Sequence, residues 1–386
     1  MRTSAFVYPW DVNGDPDAAR RIADLGVQQV TLAAAYHSTR ALTPRHPRHR
    51  IVTAEHAAVL YPPDQQRWQG RELRPYESGD WAPGDAYAEA AEALAGAGLD
   101  VHTWVVLAHN SRLGAEHPDT SVVNAYGDRY PWAPCIAQPA TRAYLVDLAA
   151  EAATRPGARG TELESLGWYG LAHLHAHDKT AGVGFGEAGQ YLMSLCFCPA
   201  CREGYAAQGL DHVALAVAVR SALEPVWRGE AADDGWPTVE KLLGADTARA
   251  TRAHRDTVAR GLQEAAVAAV RSAAPDGFQV LLHADPVSYH CGANAGVDPA
   301  HILSVADGVV VPCTGGAGLV RPFADQGRGV VAANLTVVRG MGGSPGTLES
   351  DARTARDLGA NELRLYHAGL ASDGDLEAVR RALAAL

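Results

Sequence analysis

Lysine is nearly missing from this 386-residue chain: Lys179 and Lys241 are the only two. The 33 basic residues face 44 acidic ones, a formal net charge of −11. No basic stripe is available for a phosphate backbone, which argues against nucleic acid as a partner. Long hydrophobic runs are missing too. None approaches the roughly 18 uncharged apolar residues that cross a bilayer. Met1-Arg2-Thr3-Ser4 leads straight into Ala5-Phe6-Val7-Tyr8, too short for a secretory signal, so the expected location is cytoplasmic, with no membrane association. Six cysteines are too few for a disulfide scaffold in a chain this long, and a reducing compartment keeps them as thiols or metal ligands. Internal repeats and low-complexity linkers are absent.

What the chain does have is alternation. At 47% hydrophobic and 20% charged residues it is globular in composition. Short β-branched runs alternate with Ala-rich amphipathic stretches. Strands are expected at 4–11, 27–37, 100–110, 160–167, 278–285, 308–313, 329–338 and 361–367. Helices are expected at 15–25, 85–97, 141–154, 245–274, 299–305, 348–358 and 376–386. Strands that all run one way need crossovers, so the sheet is parallel. Eight such units closing on themselves give an α/β fold, the (β/α)8 TIM barrel, as one domain over 1–386. An open doubly wound sheet is the competitor, but its Gly-x-Gly-x-x-Gly after the first strand is missing.

Two insertions interrupt the pattern. One, 38–84, follows strand two and is rich in Pro, Arg, His and Trp. The other, 168–244, follows strand four and carries its own helices and a cysteine motif. Both lie after carboxyl ends of strands, the face on which barrel active sites are built. Long loops there shape a cleft or lid.

Strand four reads Thr161-Glu162-Leu163-Glu164-Ser165, and a period of two puts both glutamates on one face. Strand five ends Leu282-His283-Ala284-Asp285, with His283 and Asp285 sharing a face in the same way. A carboxylate inside a barrel is costly unless paired or functional. For Glu162, deeper in, pairing with an arginine such as Arg364 is the structural alternative. Glu164 and Asp285 stand at strand ends, where acids read as catalytic. Two facing carboxylates are the minimum machinery for cleaving a glycosidic bond, with about 5–5.5 Å between them for retention and about 6.5–9.5 Å for inversion. A hydrogen-bonding rim is expected from Tyr8, Trp10, His37, His109, Asn110, His283, Asn334, Tyr366 and His367. Trp168 and other loop tryptophans offer flat faces for a sugar, or simply pack the loops.

Cys196-Phe197-Cys198-Pro199-Ala200-Cys201 places three thiols within six residues. They can take three corners of a tetrahedral structural zinc, with Cys135 or a loop histidine as the fourth; free or packed thiols are the alternative. His173, His175 and His177 form a second group that suits a metal, an anionic substrate or an ordinary polar loop. The glycines at 315–318 and 340–346 suit either a phosphate cradle or tight turns.

The run Cys135 to Leu145, the acidic fourth strand and the Cys196–Cys201 motif together resemble uncharacterised bacterial barrels classed as hypothetical glycoside hydrolases. Ala35-Tyr36-His37 resembles the end of strand two in α-L-fucosidase-like barrels, where a histidine contacts the sugar. The resemblance covers about residues 30 to 205. It implies a (β/α)8 fold, a carboxylate nucleophile after strand four, matched by Glu164, and a sugar-binding histidine, matched by His37. The strand-seven acid of the largest barrel glycosidase clan is missing, since the chain has Asn334-Leu335-Thr336 there. Asp285 is then the expected partner acid. The reading is a glycoside hydrolase acting on a small carbohydrate, with Glu164 as nucleophile or base and Asp285 as general acid. It requires no cofactor beyond a possible structural zinc. The alternatives are a metal-dependent barrel hydrolase, isomerase or lyase with Glu164, His283, Asp285 and a further histidine as ligands, and a sugar-binding barrel without catalysis.

Overall fold

The apolar runs form strands and the Ala-rich stretches between them form helices. The computed structural model describes residues 1–174, 178–230 and 235–386. The barrel strands are β1 (Arg2–Val7), β2 (Gln29–Tyr36), β3 (Asp100–Val106), β4 (Ala158–Glu164), β5 (Gln279–Asp285), β6 (Gly308–Pro312), β7 (Val330–Thr336) and β8 (Glu362–Tyr366). Each pairs in parallel with the next, and β8 pairs with β1, so the eight strands close into the expected TIM barrel. Ser4 shows the closure: it stands level with Gln29 on one side and Arg364 on the other.

Several strands stop sooner than alternation alone suggests. β1 ends at Val7 because Pro9, which has no N–H for the ladder, opens a 3-10 turn over Pro9–Asp11. β3 ends at Val106, and Asn110 instead caps the helix Ser111–Glu116 by accepting from the Leu113 N–H at 2.9 Å. The last helix starts earlier than expected, at Asp373, because the Ser372 hydroxyl caps it.

Side chains inside the barrel are mixed. Leu281, Val310 and Ala332 form one small apolar cluster, and Phe6, Ala33 and Trp104 belong to another nearer the mouth. Gly160 has a packing reason: it lies level with His102, and a Cβ there would meet that ring at 2.6 Å. Most of the apolar core lies between the strands and the surrounding helices.

The loops at the carboxyl ends carry extra structure. A hairpin of Thr39–Leu42 and Ile51–Ala54 follows β2. The segment after β4 carries helices Gly186–Met193, Pro199–Ala207, His212–Trp227 and Trp236–Leu243. A third elaboration, not expected from the sequence, follows β3: the hairpin Ser121–Val123 with Arg129–Pro134. No helix among the described residues is long and apolar enough to cross a membrane.

Candidate active site at the barrel mouth

A polar column runs up the inside of the barrel. Arg364 is fully buried and donates through Nε to Glu162 Oε1 at 2.6 Å and through Nη1 to Glu362 Oε2 at 2.9 Å. Thr31 donates to the same Glu162 oxygen at 3.1 Å. Burial would raise the Glu162 pKa, but the adjoining Arg364 and His283 outweigh it and hold it at about 2. Glu162 is therefore a paired structural ion. On its other side Glu162 Oε2 lies 3.5 Å from His283 Nε2, and His283 Nδ1 lies 3.9 Å from Glu164 Oε2. His283 thus links the buried pair to the acid at the mouth.

Glu164 Oε2 accepts from the Trp104 indole N–H at 2.7 Å, while Oε1 accepts no hydrogen bond among the described residues. The next residue, Ser165, has a φ of 58°, which a side chain other than glycine adopts only under local constraint. The chain turns away sharply there and leaves the carboxylate at the rim.

Aromatic and imidazole rings surround this acid. Tyr36, Tyr169 and Tyr366 have pKa values raised first by burial, with the Glu164 charge contributing. His37 lies 4.9 Å from His109, which stacks on Tyr169 at 4.3 Å. Burial pushes His109 down to about 3, and lowers His37 despite the nearby Glu164, so both present neutral rings. Asn334, level with Arg364 on the neighbouring strand, has a buried Oδ1 without a partner among the described residues. Behind the rim, Tyr8 stacks on Trp10 at 4.6 Å and on His367 at 4.3 Å, all three nearly inaccessible. They form a wall rather than a contact surface.

Two expected sugar contacts are used elsewhere. Asn110 is 4% exposed and spends its side chain on the helix cap. Trp168 is 4% exposed, and its N–H donates to the Arg255 carbonyl at 3.0 Å, so its ring packs the insertion. Conversely, the sequence reading misses Trp104, Tyr36 and Tyr169 as site residues. Trp104 could have been found, since it alternates with His102 in β3.

Asp285 has different surroundings. In register, His283 follows the Leu163–Leu282 pair and lies beside Glu164, so Asp285 stands two residues further up, a rise of about 6.6 Å. At that height the short strand Ala295–Gly296 pairs with β5, and the Ser165 N–H donates to the Ala293 carbonyl at 2.8 Å. Residues 293–296 thus wedge between the ends of β4 and β5. Asp285 accepts from the Val287 N–H at 2.8 Å and lies 3.1 Å from His290 Nδ1. The other nitrogen of His290 lies 3.5 Å from Glu187. Burial lowers the His290 pKa, but Asp285 and Glu187 more than reverse this and raise it. Together these residues line a cavity of about 610 Å³ that also reaches His173. His175 and His177, proposed with His173 as a ligand group, lie outside the described residues.

Cys135, Cys196, Cys198 and Cys201 are all buried, with sulfurs within 4.8 Å of one another. Among the described residues this is the one group gathered closely enough to hold a metal ion; Glu164, His283 and Asp285 are not so gathered. The glycine loops after β6 and β7 line a cavity of about 360 Å³ that includes Asp351 and neither lysine nor arginine, which does not suit a phosphate.

No protein-family model and no curated protein matches the sequence. Solved structures do match in fold. The chain is similar to α-L-fucosidase isoenzyme 2 from Paenibacillus thiaminolyticus, with a TM-score of 0.59 and 12% identity over 100% of this chain and 49% of that one. It therefore spans about half the length of that enzyme. It is also similar to the PgaB (BpsB) glycoside hydrolase domain from Bordetella bronchiseptica, with a TM-score of 0.54 and 15% identity over 99% of both chains. The catalytic domain of β-amylase from Paenibacillus polymyxa gives a TM-score of 0.59 and 13% identity over 99% of this chain and 97% of that one. What is shared at these identities is the fold, a barrel of the kind found in glycoside hydrolases.

Proposed function

We propose that the protein cleaves a glycosidic bond, with Glu164 as nucleophile or base and Asp285, with its attached His290, as the source of the proton. The observation that carries this is Glu164 itself. It is an acid at the carboxyl end of a barrel strand, fixed by Trp104, with one oxygen free among the described residues and a ring of tyrosines and histidines around it. His37, Asn334 and Tyr366 would orient the sugar, while the nearly inaccessible His109 and His283 back the rim behind them. Asp285 and His290, 3.1 Å apart above the wedge, would deliver the proton to the departing oxygen. Aryl glycosides test both roles. Glu164→Gln should lower turnover by about 10³-fold whatever the leaving group, while sugar binding persists. Asp285→Asn should hurt substrates with poor leaving groups most. Unchanged turnover in Glu164→Gln would reject the role of Glu164, and a wild type that binds sugar without turning over any aryl glycoside would favour a barrel that only binds sugar.

We also propose that the four clustered cysteines hold a structural zinc. Zn–S bonds of about 2.3 Å in a tetrahedron place sulfurs about 3.8 Å apart, and Cys135 Sγ lies 3.6 Å from both Cys198 Sγ and Cys201 Sγ. A thiolate cluster suits a reducing compartment such as the cytoplasm. Elemental analysis should find one zinc per chain; none in protein purified without chelator would overturn this.

A further inference from the structure

Arg255, on the helix Ala245–Ala273, is 2% exposed, and a guanidinium stays charged even when buried. Its Nη1 donates to the Ser194 carbonyl at 3.2 Å, the rings of Trp168 and Tyr191 lie 5.1 and 5.0 Å from its Cζ, and its Nε has no partner among the described residues. No carboxylate among the described residues pairs with it. Its Nη2 instead lies 2.8 Å from Cys291 Sγ. A buried cation without a counter-charge is strongly unfavourable. Burial raises the pKa values of the neighbouring Tyr191 and Tyr205, which leaves the Cys291 thiol as the group in contact with the guanidinium that can supply a negative charge.

We propose that Cys291 is a thiolate held by Arg255 and a site of reversible modification by small disulfides at the wall of the Asp285 cavity. Cys291 lines that cavity and is partly exposed. Asp285 and Glu187, which line it too, disfavour another negative charge, but His290 stands between them, and both raise its pKa and so favour its positive form. From the other elements Tyr191 and Tyr130 approach Cys291, and burial raises both pKa values, so neither adds charge at neutral pH. The remaining thiols differ. Four form the buried cluster, and burial pushes the Cys313 thiol up to about 11. In the exchange the Cys291 sulfur attacks one sulfur of the disulfide. A new S–S bond forms, the old one breaks, and the other half leaves as a thiolate. The attached group fills part of the cavity, and a free small thiol reverses the step.

The protein as isolated, with any cluster metal in place, is alkylated with iodoacetamide and mapped by mass spectrometry. One adduct is expected, at Cys291. At about pH 6.5 it should form roughly tenfold faster than the adduct of an unfolded cysteine peptide: an ordinary thiol is only about 1% ionised there, and the roughly hundredfold gain in thiolate is partly offset by the lower nucleophilicity of a low-pKa sulfur. A rate that rises tenfold per pH unit through neutrality, or labelling only at other cysteines, overturns the proposal. Arg255→Met should restore the ordinary profile. Should that variant fail to fold, ultraviolet thiolate absorbance gives a second reading, taken as wild type minus Cys291→Ser. It persists at about pH 6 if Cys291 is ionised, and its absence there overturns the proposal. Glutathione disulfide should add one glutathione to the wild type and none to Cys291→Ser; no adduct on the wild type overturns the modification. None of these readings depends on glycosidase activity.

Discussion

Glu164 ends β4 and Asp285 ends β5, and each has a histidine beside it. Their supports come from different parts of the molecule. Glu164 is held by Trp104 of β3 and approached by His283 of β5, both on barrel strands. Asp285 is held by the Val287 N–H and His290 of its own loop, and His290 leans on Glu187 of the helical insertion. A closed ladder fixes the first acid to within the play of a strand, whereas the second takes its position from loops. Changes in the insertion should therefore retune Asp285 and leave Glu164 in place.

The largest effect should separate the two acids directly. Glu164→Gln is expected to lower kcat by about 10³-fold and Asp285→Asn by about 10²-fold, within the usual range for general acid–base groups. Equal losses that ignore the leaving group would break the comparison. Next is the column beneath Glu164. Arg364→Met leaves Glu162 buried without its partner and should cost about 3–5 kcal/mol in urea unfolding. Replacing Glu162 by leucine in the same protein should recover most of that loss.

Acid should weaken the fold well before it reaches the Glu162 pair. Burial holds His102, His109 and His367 at about 3, so they are neutral when folded but take up protons below about 6.5 when unfolded. Stability from each is lost as pH falls from about 6.5 towards 3, by up to about 1.4 kcal/mol per pH unit. Asp11, raised by burial to about 7, works in the opposite direction over much of that window, as does the raised His290 near neutrality, while His254, lowered by burial to about 4, adds to the loss from the other three histidines. The Tm should therefore drop steadily from pH 7 to pH 5; a flat profile would contradict these burials. Below about 4.5, protonation of unfolded-state Glu162 adds a further loss, since its folded value is about 2. The smallest effect concerns Trp168. Trp168→Phe should cost about 1 kcal/mol through its lost hydrogen bond and leave KM unchanged. A raised KM would return that ring to the substrate.

These contrasts follow what the sequence makes legible. Alternation along β4 is enough to put Glu162 and Glu164 on one face and Leu163 on the other, because the strand period is two whatever the loops do. The pairing of Glu162 with Arg364 follows from the cost of a lone buried charge, and the structure shows it. Trp104 is harder to read, since along Val101 to Val106 apolar residues stand on both faces and the interior face has no marker beyond His102. The wedge at 293–296 has no periodicity at all. It is placed by a backbone bond to Ser165 and a two-residue ladder with β5, both set by tertiary contact. The sequence overruns its strands at Pro9 and Asn110 for local reasons, a missing N–H and a side-chain cap.

The cysteine cluster has a consequence for the order in which the molecule comes apart. Cys135 and Cys198 are 63 positions apart, and the stretch between them contains β4. An ion bound to both turns that stretch into a closed ring of chain with fewer unfolded arrangements. The strand that bears Glu164 would then be among the last to exchange its amide hydrogens, while β6 to β8, which no such tether encloses, would fray first.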